Sequence, residues 1–104
     1  LAATEVASLA GLDVYPGARF FTKGPRPCAV EYDGVPGNRR GGLPKGTQVV
    51  ILEALVHVIS ERRYVAARIH STFGGGYGWI NLCCENQRFV MPDDFSVRAR
   101  SRSR

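Results

Sequence analysis

Residues 43–53 read Leu-Pro-Lys-Gly-Thr-Gln-Val-Val-Ile-Leu-Glu, residues 63–69 Arg-Tyr-Val-Ala-Ala-Arg-Ile, and residues 76–82 Gly-Tyr-Gly-Trp-Ile-Asn-Leu. Each run is rich in β-branched and aromatic side chains and is bounded by Gly, Pro, Ser or charged residues, the mark of short strands joined by turns. In residues 47–53 Val49 and Ile51 share one face, and Val50 and Leu52 interrupt the polar alternation on the other, so both faces are covered at least in part. Apolar character continues through residues 54–59 with His57 in its midst, and Ser60-Glu61-Arg62-Arg63 supplies a turn that makes an antiparallel hairpin with the run beginning at Tyr64. There Val65, Ala67 and Ile69 share a face opposite Tyr64, Ala66 and Arg68. In the last run Ile80 and Leu82 point inward and Trp79 outward.

Working outward from this centre, residues 28–32 (Cys-Ala-Val-Glu-Tyr) form a strand, and Asp33-Gly34 starts a turn into a Gly- and Arg-rich loop over residues 35–42. Pro16-Gly17 is a turn between apolar segments, Gly24, Pro25 and Pro27 mark a loop, and residues 88–91 give a last strand stopped by Pro92. Five or six short strands with turn signals every eight to twelve residues predict an all-β domain, a small barrel or sandwich. Residues 1–13 form a leader. Either Thr4 caps one helical turn on which Val6, Leu9 and Ala10 share a face and Gly11 ends it, or the leader has no structure of its own. The barrel occupies residues 14–95, and residues 96–104 are an Arg/Ser tail.

The formal charge of +5 is concentrated in that tail. Without Arg98, Arg100, Arg102 and Arg104, the 14 basic residues fall to ten against nine acidic ones. The body is therefore nearly neutral, and the tail is a solvated polycation suited to phosphate or to an acidic partner. No apolar run approaches the ~20 residues of a membrane-spanning helix. Three cysteines, Cys28, Cys83 and Cys84, are too few and odd in number for a disulfide framework, and two adjacent strand residues point to opposite faces. This reads as reduced, packing cysteines in a reducing intracellular compartment, and the opening Leu1 fits an organellar chain (plastid or mitochondrion) after presequence removal.

The order Lys45-Gly-Thr-Gln-Val-Val-Ile-Leu52, the aromatic Tyr64 opening the next strand and Gly78-Trp-Ile80 resemble the bacterial-type SH3-like (Src-homology-3-like) domain. The resemblance is closest over about forty residues and extends loosely from Tyr15 to Pro92. It implies a five-stranded, highly curved β-barrel with extended ends, used as a docking module and without catalysis. Residues 29–33 only faintly echo the Ala-Leu-Tyr-Asp-Tyr segment of signalling SH3 domains. Their Trp-Trp pair and Ser-Pro-x-x-Tyr segment are missing, so a proline-peptide groove is not implied.

The residue types for nucleophilic chemistry exist in Cys28, Cys83, Cys84, His57 and His70, but no spacing sets a thiol beside an oriented base. No Cys-x-x-Cys or comparable pair suggests zinc. Gly74-Gly75-Gly76 is followed by no Gly-Lys-Ser/Thr, so it reads as a hairpin loop and not a phosphate cradle. The chain is expected to be no enzyme, with neither cofactor nor metal. The expected role is an accessory subunit contacting other protein subunits of a larger assembly, membrane-associated ones included, through Tyr64, Tyr77 and Trp79 and the tail arginines Arg98, Arg100, Arg102 and Arg104. The alternatives are an RNA-binding module using Arg39, Arg40, Lys45, Arg62, Arg63 and the tail, and a free-standing binder of peptide or cell-wall fragments using the three aromatics.

Overall fold

The chain was analysed as a computed structural model that describes residues 2–35, 37–71 and 77–93. The tail arginines Arg98, Arg100, Arg102 and Arg104, and the triple-glycine loop, lie outside the described residues. A short helix α1 (Ala3–Leu9) is followed by β1 (Arg19–Thr22), β2 (Cys28–Glu31), β3 (Arg39–Leu43), β4 (Gln48–Ile59), β5 (Arg62–Ser71), β6 (Tyr77–Cys84), β7 (Gln87–Arg88) and β8 (Val90–Pro92). The expected all-β class holds: the strands form one antiparallel, curled and open sheet in the order β3-β2-β6-β5-β4-β1-β8, with β7 beside β6.

The long β4–β5–β6 meander is its backbone, and two bulges bend it. Leu52 is passed over between the Ile51↔Ile69 and Glu53↔Arg68 pairs, and Leu82 between Asn81↔Ala66 and Cys83↔Val65. An extra residue increases local twist and bends the strand, which curls the sheet. The tight turn at the tip places Ser60 and Glu61 at positive φ (52° and 63°). The concave face collects the inward positions expected from the alternation: Val49, Ile51, Val65, Ala67, Ile69, Ile80 and Leu82, all at most 1% exposed.

The amino-terminal segment fills this concavity. Val6, Ala7, Ala10, Leu12 and Val14 all belong to the same apolar cluster as the strands, and α1 packs on β4 and β5. A seven-residue helix is unstable alone and holds only by such docking. Its details differ from the sequence reading: Ala2 occupies the cap position with no side-chain hydrogen bond, and the buried helical pair is Val6 and Ala7, while Leu9 faces solvent. Gly11 (φ 73°) turns the chain so that the Leu12 N–H donates to Ala7 O at 3.1 Å. Arg88 Nε on β7 then donates to Ala10 O at 2.6 Å, tying the helix end to the far side of the sheet.

One strand was not expected. Residues 39–42 lie in the segment read as loop, yet with Leu43 they form β3, paired with β2 from Cys28↔Leu43 to Glu31↔Arg39. Arg-Arg-Gly-Gly-Leu has neither apolar alternation nor β-branched residues. Its first four residues are exposed and extended because their backbone pairs with β2, and only Leu43 reaches the core.

Candidate functional site

The convex face of the meander carries the three aromatics singled out in the sequence, but strung along it. Tyr64 pairs with Cys84 at one end, Trp79 with Arg68 in the middle, and Tyr77 with His70 at the other. Tyr77 is exposed and its ring lies 5.2 Å from that of His70. The Tyr64 phenol is held above its ordinary value mainly by its hydrogen bond to Cys84. Trp79 is half-buried because the β2–β3 turn folds over it. Gly34 (φ 83°) comes so close that a Cβ there would sit 3.0 Å from Ala66 Cβ, 3.2 Å from His57 Nε2 and 3.4 Å from Trp79 Cε3. This lid helps to bury Ala66 fully on the convex face.

The fold-over is secured by a carboxylate that the sequence analysis did not select. Glu31 is 3% exposed, and its two oxygens accept from the Gly37 N–H at 3.0 Å and Asn81 Nδ2 at 3.2 Å. At the turn, Asp33 accepts from the Val35 N–H and from Asn38 Nδ2, both at 3.0 Å; those two bonds hold its carboxyl below the usual range. Glycine at 78 is needed for β2 to approach β6, since a Cβ there would lie 2.3 Å from Val30 Cγ1. Buried side-chain polar atoms without a partner, among the described residues, are His57 Nε2 and Asn81 Oδ1, both beside this lid. Such unsatisfied atoms cost stability and are rare in folded domains.

Next to the lid runs an open groove of about 610 Å³. Tyr64 and Asn81 line it from the meander, residues 23–29 form one wall with Pro25 and Pro27, and Gln87, Arg88 and Phe89 form the other. Glu31 and Cys28 also reach it. Burial, and then the negative charge of Glu31, push the Cys28 thiol up to about 11, so it is protonated and unreactive at neutral pH. Lys23 and Arg26 stand in the same wall, and among the described residues neither has a carboxylate partner, whereas Arg63 pairs with Glu85 and Arg68 with Glu53.

No protein-family model, curated protein or solved structure matches this chain. The geometry therefore has to speak alone. Among the described residues no group of three or more His, Cys, Asp or Glu side chains is placed to hold a metal ion. No helix among them is long and apolar enough to cross a membrane. Of the basic residues considered for RNA, Arg63 is held by Glu85 in two side-chain hydrogen bonds, and Arg40 donates to the Tyr77 carbonyl. Arg62 lies at the opposite end of the meander from Tyr77.

Proposed function

We propose that this chain is a non-enzymatic, SH3-like accessory module that receives a segment of another protein in the groove beside Tyr64. Setting aside the β2–β3 hairpin and β7, five strands remain in the path β6-β5-β4-β1-β8, which supports the five-stranded SH3-like reading. The observation that carries the functional reading is the groove itself. It is concave and lined by Pro25, Pro27, Tyr64 and Phe89, and among the described residues the Lys23 and Arg26 cations have no carboxylate partner. Aromatic and proline walls offer contact area at low entropic cost, and unpaired cations select for acidic flanks. Tyr64 is the anchor among the aromatics; Tyr77 and the tail arginines are further contacts in the assembled state.

Affinity purification of the chain from its native source tests this, with Tyr64→Ala and Phe89→Ser as controls checked for folding by circular dichroism. A protein subunit that travels with the wild type and is lost with either variant supports the proposal. A chain that stays alone, or whose companions are released by ribonuclease, overturns it and favours the RNA reading.

A further inference from the structure

β3 ends the sheet, and four of its five residues, Arg39, Arg40, Gly41 and Gly42, are exposed. The outer side of an edge strand presents ladder N–H and C=O groups that no neighbour uses. A Cβ at Gly41 would meet nothing within 4 Å. Arg39 Nε donates to Gly41 O at 3.0 Å, and the Arg39 Nη2 atom lies 2.9 Å from where a Cβ of Gly42 would be. The Arg39 side chain thus folds back along its own strand, over Gly41 and Gly42. At the other end of the sheet, β8 has three residues and ends in Pro92, which has no N–H to offer.

Charge says what kind of strand suits this edge. Between Lys23 and Lys45 there are five basic residues (Lys23, Arg26, Arg39, Arg40, Lys45) and two acidic ones. Both acidic groups are occupied by neutral donors: Glu31 by Gly37 and Asn81, Asp33 by Val35 and Asn38. We infer that β3 is a docking edge for an acidic, extended segment of a partner protein, which adds as a further strand outside Arg39–Leu43. An incoming Asp or Glu pairs with the Arg39 guanidinium while its backbone meets the ladder groups on the outer side of β3. A neutral strand has nothing to offer Arg39. A second copy of this edge is repelled, because it brings another Arg39 against the first. A nucleic acid would use the charge but leave the outer ladder groups unpaired. The inference rests on the reading of the chain as a docking module, but places the partner on a different element from the groove.

The test uses a fluorescent octapeptide of alternating glutamate and valine, its counterpart N-methylated at alternate residues, and poly-uridylate. Anisotropy gives affinity, and amide hydrogen exchange gives the site. The octapeptide is expected to slow exchange at alternate amides of residues 39–43 at least tenfold. N-methylation and Arg39→Glu are each expected to weaken binding tenfold or more, while Val58→Ala, at an exposed position near the far tip of the meander, leaves it unchanged. Failure of the octapeptide to bind overturns the inference. So does equal binding of the N-methylated peptide, or protection by poly-uridylate that matches the peptide's. If Arg39→Glu fails to fold, the N-methylated peptide still decides. Were the edge to fail while Tyr64→Ala still released a co-purifying subunit, the module reading would stand without this inference.

Discussion

Glu85 and Cys28 show how far one side chain's surroundings can move its chemistry. Arg63 donates to Glu85 from Nε at 2.9 Å, from Nη2 at 3.0 Å and from its backbone N–H at 2.8 Å. These bonds lower the carboxyl from 4.5 to about 2. Because the folded-state value is depressed, the stability that ionised Glu85 contributes is complete above about pH 4.5 and is lost as pH falls toward 2. Urea midpoints measured across that interval should fall less steeply in Glu85→Gln than in the wild type. At Cys28 the shift is upward, from 9.0 to about 11. Two units correspond to about a hundredfold less thiolate, so iodoacetamide should alkylate the folded thiol about a hundredfold more slowly than the unfolded one at neutral pH. Neither partner was legible in the sequence: Arg63 and Glu85 are 22 positions apart, and their meeting depends on the β5–β6 register.

At the scale of elements, the β2–β3 hairpin is the part that tertiary contact assembles. Its alternation is weak, its turn is polar, and its second strand is glycine and arginine; what holds it is Glu31, Gly34 and the missing side chain at 78. Glu31→Ala should cost about 1–3 kcal/mol by removing the two charge-assisted hydrogen bonds that the Gly37 N–H and Asn81 Nδ2 donate to it. Gly78→Ala should cost a similar ~1–3 kcal/mol through the clash with Val30. Chemical denaturation reads both losses. Hydrogen exchange should show the damage confined first to residues 28–43. By contrast, the β4–β5–β6 meander was readable residue by residue, since Val49, Ile51, Val65, Ala67, Ile69, Ile80 and Leu82 all stand on the face that their alternation assigned. The bulge at Leu52 reverses the parity downstream, so that Ala54 and Val56 turn toward the core and His57 lies outside it, and β5 begins at Arg62, inside the segment read as turn.

For the molecule as a whole, the amino-terminal residues are the plug of an otherwise open curl. Leu12, 2% exposed, is among the largest buried side chains. Leu12→Ala should destabilise the entire domain by about 2–5 kcal/mol, whereas Leu9→Ala, at an exposed position, should change stability by no more than ~0.5 kcal/mol. Equilibrium unfolding followed by Trp79 fluorescence separates the two. Coincident loss of helix and strand signals in Leu12→Ala would confirm that plug and sheet unfold as one unit.

The sequence by itself determined the class of the chain, the long hairpin and the inward faces of its central strands, because period-two alternation and turn residues are local properties. It also selected Tyr64, Trp79 and Tyr77, though not their arrangement. Only the tertiary structure decided that Gly34 lies over Trp79, that Glu31 and not an aromatic secures the lid, and that two arginines and two glycines form an edge strand. Those outcomes depend on contacts between residues far apart in the chain, and no window of neighbouring residues records them.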